Sequence, residues 1–485
     1  MAVTRRKALS QGFSGVFLVC SFAADKRSRP VTGTATSAWA RASAAGPFEP
    51  FQRDVPLLPV ARPVEQTKSL QKYISEMKPG TASILPGLTT PILGYYGMYP
   101  GPTFRATRGR AVEVRQINRS GRDLNVHLHG GVTQPQFDGH PHDAVPDGTE
   151  RLYHYSNVQH SATLWYHDHA HGETAKTLFA GLAAFYIVED PEEDDALELP
   201  RGDYDVPLMI QDRAFNADGT FRYRVDIDRG FRGDTLLVNG AIAPRMKVER
   251  RLYRLRLLNS SNARPYEFVL GNGREVIQIS SDGGLLPKPV RRTSISLQPA
   301  ERVDVVVDFR QFGVGSEVIL HNTVGEATTS AVMRFDVVKG GAEEARVPKV
   351  LRELEPLPPV NAQRSFPLTF NGLGRAQWQI AGAGFDDERI DCRPRLGSSE
   401  LWTFTNNSER THPMHTHGHF FRVVSIEGKP PQPGDAAWKD TIPVLPHQTV
   451  VIRPNFDYYT GRYVFHCHAA EHGDMSMMGQ MEVVA

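Results

Sequence analysis

The chain has 485 residues, 40% of them apolar, and a formal net charge of +1. This length suits roughly three domains of ordinary size, and the composition is that of a globular protein without a disorder signature. There is no basic excess for nucleic acid or an anionic membrane, and no segment is apolar enough to be transmembrane.

The N-terminus carries Arg5, Arg6 and Lys7 ahead of a short apolar run ending near Ala24. That is a signal-peptide layout, and the twin arginines point to the export route for folded proteins, hence to a periplasmic or extracellular location. Small residues at Ala42-Ser43-Ala44, and again near Ala23, both fit cleavage. From about residue 50, short strands alternate with turns, as the 42 Gly and 35 Pro suggest. AVEVRQIN (111–118) and LNVHLH (124–129) alternate, and GLAAFYIVED (181–190) is an apolar strand ending in charges. PEEDDALELPRGD (191–203) reads as a linker. A second block holds DVPLMIQD (205–212), YRLRLLNSS (253–261), EVIQISSDGG (275–284) and ERVDVVVDF (301–309). Residues 342–359 form the next linker. A third block holds ELWTFTNN (400–407), FFRVVSIEG (420–428), QTVVIRPN (448–455) and GRYVFHC (461–467). The expected organisation is a leader at 1–45 and blocks at 46–190, 191–355 and 356–485. Strands of this spacing predict an all-β protein of sandwiches or barrels.

Of 18 histidines, eight fall in four His-x-His pairs: His127/His129, His167/His169, His415/His417 and His466/His468. One such pair is ordinarily a half-buried strand face. Four pairs, confined to the first and third blocks, point to a shared metal centre. In the last pair the intervening residue is Cys467. On a strand, residues i and i+2 face one way and i+1 the other. The thiol therefore serves one centre and the imidazoles a second, with a short covalent path between them. On the thiol side, His472 and Met477 follow in a Gly-containing loop, and His412 has opposite parity to His415 and His417. Two His, one Cys and a weak axial Met are the ligand set of blue copper. Eight imidazoles on the other side are too many for one ion and suit three. A structural zinc site rarely takes a Met, and a nucleophilic Cys467 with a His base leaves the pairs unexplained.

The tracts HLHGG, WYHDHA, HPMHTHGH and HCHAAEHGDMSM resemble the four copper-binding motifs of the multicopper oxidases. The likeness covers nearly all of the expected mature chain, including VNGAIAPRMKVERRLYRLRLLNSSNAR (238–264). HLHGGVTQPQFDGHP and AWKDT (437–441) are most similar to the spore-coat laccase and bilirubin oxidase branch. The resemblance implies three cupredoxin-like Greek-key β-barrels and four copper ions. It implies a type 1 copper on His412, Cys467, His472 and axial Met477, and a type 2 copper on His127 and His415. It assigns one type 3 copper to His129, His167 and His468 and the other to His169, His417 and His466. The implied reaction is one-electron oxidation of phenols, aminophenols or bilirubin-like tetrapyrroles, coupled to reduction of dioxygen to water. Cuprous-ion oxidation in copper tolerance is the alternative, but its Met-rich insertion is missing, since no methionine lies between Ala342 and His412. A copper-free structural relative would not keep every ligand.

Asp138, in QFDGHP, matches the acid that family members place near the type 2 copper; a turn-forming Asp before Gly139 reads equally well. Where relatives place an acid after the type 1 histidine, this chain has Gly473, with Glu471 and Asp474 on either side of the His472–Gly473 pair. Asp168 points away from its flanking histidines and reads as structural. His419 lies outside the cluster, and His140, His142 and His171 read as loop or supporting residues. Of three cysteines, Cys20 lies in the leader; Cys392 reads as a small buried hydrophobe, with a Cys392–Cys467 bridge formally possible.

Overall fold

The computed structural model describes residues 49–485 except 327, 343 and 373–376. The expected export signal, with Cys20, lies outside the described residues. No described helix is long and apolar enough to cross a membrane.

The strands form three pairs of sheets in chain order. In the first pair, Leu70–Ala82 and Ala111–Asn118 lie at the centre of a five-stranded sheet, and Ala183–Glu189 and Ala162–His167 at the centre of a four-stranded one. The second pair has seven and five strands, the third five and four. Each pair includes parallel neighbours, such as Leu70–Ala82 with Ala111–Asn118 and Val360–Phe370 with Ser398–Asn406. A hairpin cannot make these, so the chain crosses over between sheets. Ala111–Asn118 alternates because only its inner face meets a core of Tyr73, Val112 and Val114. Ala162–His167 is buried throughout, because its outer face packs with Met209 and Leu258 of the middle block around Trp165.

The stretch expected as a linker after Asp190 contains a helix, Pro191–Leu197. Asp190 caps it by accepting from the Glu193 amide, Pro191 opens it, and Glu192, Glu193 and Asp194 sit in its first turn. Cap, proline and acids each favour a helix start, and together they override the loop-like composition. Residues 344–359 carry neither helix nor strand, as expected of a linker.

Register brings the histidine tracts together. His127–His129 pairs antiparallel with Ala162–His167, placing His127 opposite His167. His412–Thr416 pairs antiparallel with Gly461–Cys467, placing His415 opposite His466. Gly418 turns the chain sharply after His417, at φ 68° and against the Tyr463 ring.

Candidate metal centres

The thiol side is the simpler. Cys467 Sγ lies 3.5 Å from His412 Nδ1 and 3.6 Å from His472 Nδ1, and the two nitrogens are 3.3 Å apart. All three side chains are buried. His472 Nε2–H donates to the Asp228 carbonyl at 3.2 Å, which leaves Nδ1 as a lone pair. His412 Nε2 lies 2.9 Å from the Ser408 hydroxyl, which itself lies 2.8 Å from the Asn406 side-chain Oδ1. Ser408 donates to Asn406 and accepts from His412, so His412 Nδ1 is a second inward lone pair. Burial pushes both histidines down, His472 to about 4, so neither carries a proton to share. Burial also pushes the Cys467 thiol up, so the protein alone does not stabilise a thiolate. Two inward imidazole lone pairs converging on a buried thiol fit a cation that would displace the thiol proton, and the donor set fits copper. Met477 is fully buried beside them: its amide donates to the His472 carbonyl and its carbonyl accepts from the Cys467 amide. Trp378 packs on His472 with ring centroids 4.3 Å apart.

Eight buried imidazoles gather on the other face of the same strand. His127 Nε2 and His415 Nε2 are 3.4 Å apart; their Nδ1–H groups donate to the carbonyls of Asp138 and Asp440 at 2.7 and 2.8 Å. His466 Nε2 lies 3.0 Å from His169 Nε2 and 3.1 Å from His417 Nε2. His466 Nδ1–H donates to the Cys467 carbonyl at 3.1 Å, and His417 Nδ1–H donates to Asp138 Oδ2 at 2.7 Å. His167 Nε2, His129 Nδ1 and both nitrogens of His468 have no hydrogen-bond partner. The His468 ring centroid is 5.0 Å from that of His129 and 5.2 Å from that of His167. Burial pushes His466 and His468 well below their usual range and His167 down to about 3. Orphaned lone pairs in a neutral, dry nest are costly unless cations take them up. Outward N–H groups tied to carbonyls or carboxylates fix the tautomers of His127, His129, His167, His415, His417 and His466, as metal-ligating histidines require.

Asp138 touches both histidine sets. Gly139, at φ 77° and hard against the Val126 carbonyl, folds the QFDGHP turn onto the His127 strand. Burial pushes the Asp138 carboxyl up to about 8, partly offset by the Thr133 hydroxyl at 3.2 Å. Asp168 accepts from the amides of Asn125 and Ala170 and from the Thr177 hydroxyl, a structural tie between the two tracts. His419 packs on Phe456 and Tyr463, away from the cluster. Cys392 and Cys467 are both free, so they form no bridge.

Sequence reasoning missed Asp440. Its Oδ1 accepts from His129 Nε2–H at 3.1 Å, and Arg302 grips both its oxygens at 2.7 and 2.6 Å. Burial alone would raise this carboxyl, but Arg302 and then His129 outweigh it and hold it well below the usual range. AWKDT marked the place without indicating the partner, which lies in the middle block.

Residues 358–485 and 76–193 match two family models, both described as multicopper oxidase. The chain is 35% identical to a laccase of Bacillus subtilis, over 90% of this chain and 99% of that one. The chain belongs to the multicopper oxidase family. The bilirubin oxidase of Albifimbria verrucaria is 33% identical over 89% of this chain and 79% of its own. The McoA multicopper oxidase of the hyperthermophile Aquifex aeolicus superposes with a TM-score of 0.82 at 33% identity, over 90% of this chain and all of that one. The three sheet pairs are accordingly the cupredoxin-like domains of this family, and this multicopper oxidase is a laccase-like copper oxidoreductase with oxygen as acceptor. Its cofactor is copper, in type 1, type 2 and type 3 centres.

Proposed function

We propose that this multicopper oxidase takes single electrons from phenolic, aminophenolic or bilirubin-like donors and reduces dioxygen to two waters. His412, Cys467, His472 and Met477 would hold the type 1 ion, and His127 and His415 the type 2 ion. His129, His167 and His468 would hold one type 3 ion, and His169, His417 and His466 the other. When bound, copper supplies the one-electron redox and oxygen chemistry that no side chain here provides.

The observation that carries the proposal is the strand Gly461–Cys467. Cys467 turns its sulfur to His412 and His472, while the adjacent His466 turns its ring to His169 and His417. The route between the centres is thus covalent, and the bond from His466 Nδ1–H to the Cys467 carbonyl runs alongside it. Asp138, protonated up to about pH 8 and bonded to His417, is the chain's candidate to deliver protons. Residues 1–45 would direct export to the periplasm or beyond, tested by fractionation and sequencing of the mature N-terminus.

Oxygen uptake by the copper-loaded protein tests the function, with phenols, aminophenols, bilirubin and cuprous ion as donors. The expected result is four one-electron donors consumed per dioxygen, without accumulating peroxide. Uptake with cuprous ion alone would shift the reading to a metal oxidase, and no uptake with any donor would end it.

A further inference from the structure

A second group of histidines lies just outside the cluster. His142 is 40% exposed, and its Nδ1 lies 3.1 Å from Asp387 Oδ1, itself 41% exposed. The exposed His171 faces His142, with ring centroids 5.4 Å apart and planes at 77°. Phe385 packs against both rings at 5.3 Å. The buried Gln480 builds this corner. Its carboxamide oxygen accepts from His140 Nε2–H at 2.9 Å, and its NH₂ donates to the carbonyls of Asp386, Asp387 and Arg389. The loop bearing Asp387, from the third block, is thereby held beside a loop of the first. That first-block loop is fixed in turn: Asn125 donates to the His140 carbonyl at 2.7 Å and accepts from the His169 amide at 2.8 Å.

His171 also lines a cavity of about 20 Å³ whose walls include Gly473, Asp474, His169, His466 and His468. That is room for about one ion or water. Gly473 keeps it open: a Cβ there would stand 3.3 Å from the Cys467 carbonyl and 3.9 Å from His466 Nδ1.

We propose that His142, His171 and Asp387 form a copper-binding site at the mouth of this cavity, which captures copper ions on their way to the buried cluster. Two imidazoles and a carboxylate suit cupric ion, which such donors bind more tightly than other divalent first-row ions. The exposed side chains must rotate to converge on an ion, and their openness leaves them free to do so. The cluster's own histidines are 4% exposed or less. The capture role rests on the reading of those histidines as copper ligands; the binding site does not.

The test has two arms. Copper-loaded protein is titrated with cupric ion under electron paramagnetic resonance and equilibrium dialysis. Wild type should take up one further cupric ion per chain, with nitrogen hyperfine structure. His142→Ala/His171→Ala should lose it, and Asp387→Asn should weaken it. Full-length chain produced without copper is then supplied with limiting cupric ion. The cluster's absorption should grow severalfold more slowly in the double variant yet reach the same end point. The site is overturned if wild type takes no further ion, or if the double variant takes it equally well. The capture role is overturned if the ion is lost and filling is no slower. If neither protein fills its cluster, the proposed function fails instead, while the dialysis arm still decides the surface site.

Discussion

Arg302 offers the most demanding test of how this fold supports its copper sites. Its guanidinium is fully buried and makes five hydrogen bonds: two to Asp440 and one each to the carbonyls of Thr163, Ala300 and Asp282. Arg302→Met keeps the volume but strands a buried carboxylate. Removing one partner of a buried pair costs about 3–5 kcal/mol, far more than the ~0–1 kcal/mol of an exposed pair. Three domains will not unfold in one step, so the cost is best read as a rate. If the pair is lost in the transition state, unfolding in denaturant, followed by tryptophan fluorescence, should accelerate by roughly two to three and a half decades, at ~1.4 kcal/mol per decade. Asp440→Leu should cost about as much by stranding the arginine. The double variant should fall short of the summed costs by roughly 2 kcal/mol, the coupling expected of contacting charges. Because Asp440 also orients His129, Arg302→Met should retain copper less well in the cluster while the blue colour persists. Additive single effects, each below about 1 kcal/mol, would refute the claim that this pair is desolvated and coupled.

Copper-loaded protein should be intensely blue, and Cys467→Ser should abolish colour and oxidase activity together; a variant that stayed blue would overturn the type 1 assignment. His468→Ala should remain blue and bleach with a phenolic reductant without air, yet recolour very slowly when air returns. Rapid recolouring would show oxygen reacting without His468. Asp138→Asn preserves an acceptor for His417 but has no acidic proton to transfer; turnover should fall about 10²-fold while anaerobic bleaching is unchanged, and unchanged turnover would remove Asp138 from proton delivery.

The sequence made some features legible and hid others, for physical reasons. Alternation disclosed Ala111–Asn118, whose two faces meet different surroundings. Parity around Cys467 separated the thiol side from the imidazole side, because strand geometry depends only on neighbours in the chain. LNVHLH was over-read as one strand; only His127–His129 is strand, since Asn125 spends its amide on Asp168 and its side chain on the 139–140 loop. The helix at Pro191–Leu197 was readable from Asp190, Pro191 and the acids that follow, had the cap been weighed above the composition. Arg302 and Asp228 were not readable at all. Their partners lie 138 and 244 residues away, and nothing local marks an arginine or a carbonyl as belonging to a site in another block.

Those two residues change what the middle block is for. It carries none of the His-x-His pairs, and a reading from ligands alone leaves it a spacer. Yet its Asp228 carbonyl receives the outward N–H of His472, the ring edge that points away from the sulfur. Asp228 is in turn fixed by Arg410 of the third block through Nε at 2.9 Å, and the Ile227 carbonyl receives Trp378 Nε1–H at 2.8 Å. At the opposite end, Arg302 secures the acid behind His129, while Asp282 and Glu301 hold the buried Lys439 at 3.1 and 3.0 Å, one residue before Asp440. The middle block thus sets the tautomer of His472 and, through Asp440, the orientation of His129. On the proposed ligand assignment, a block without ligands braces both ends of the electron path.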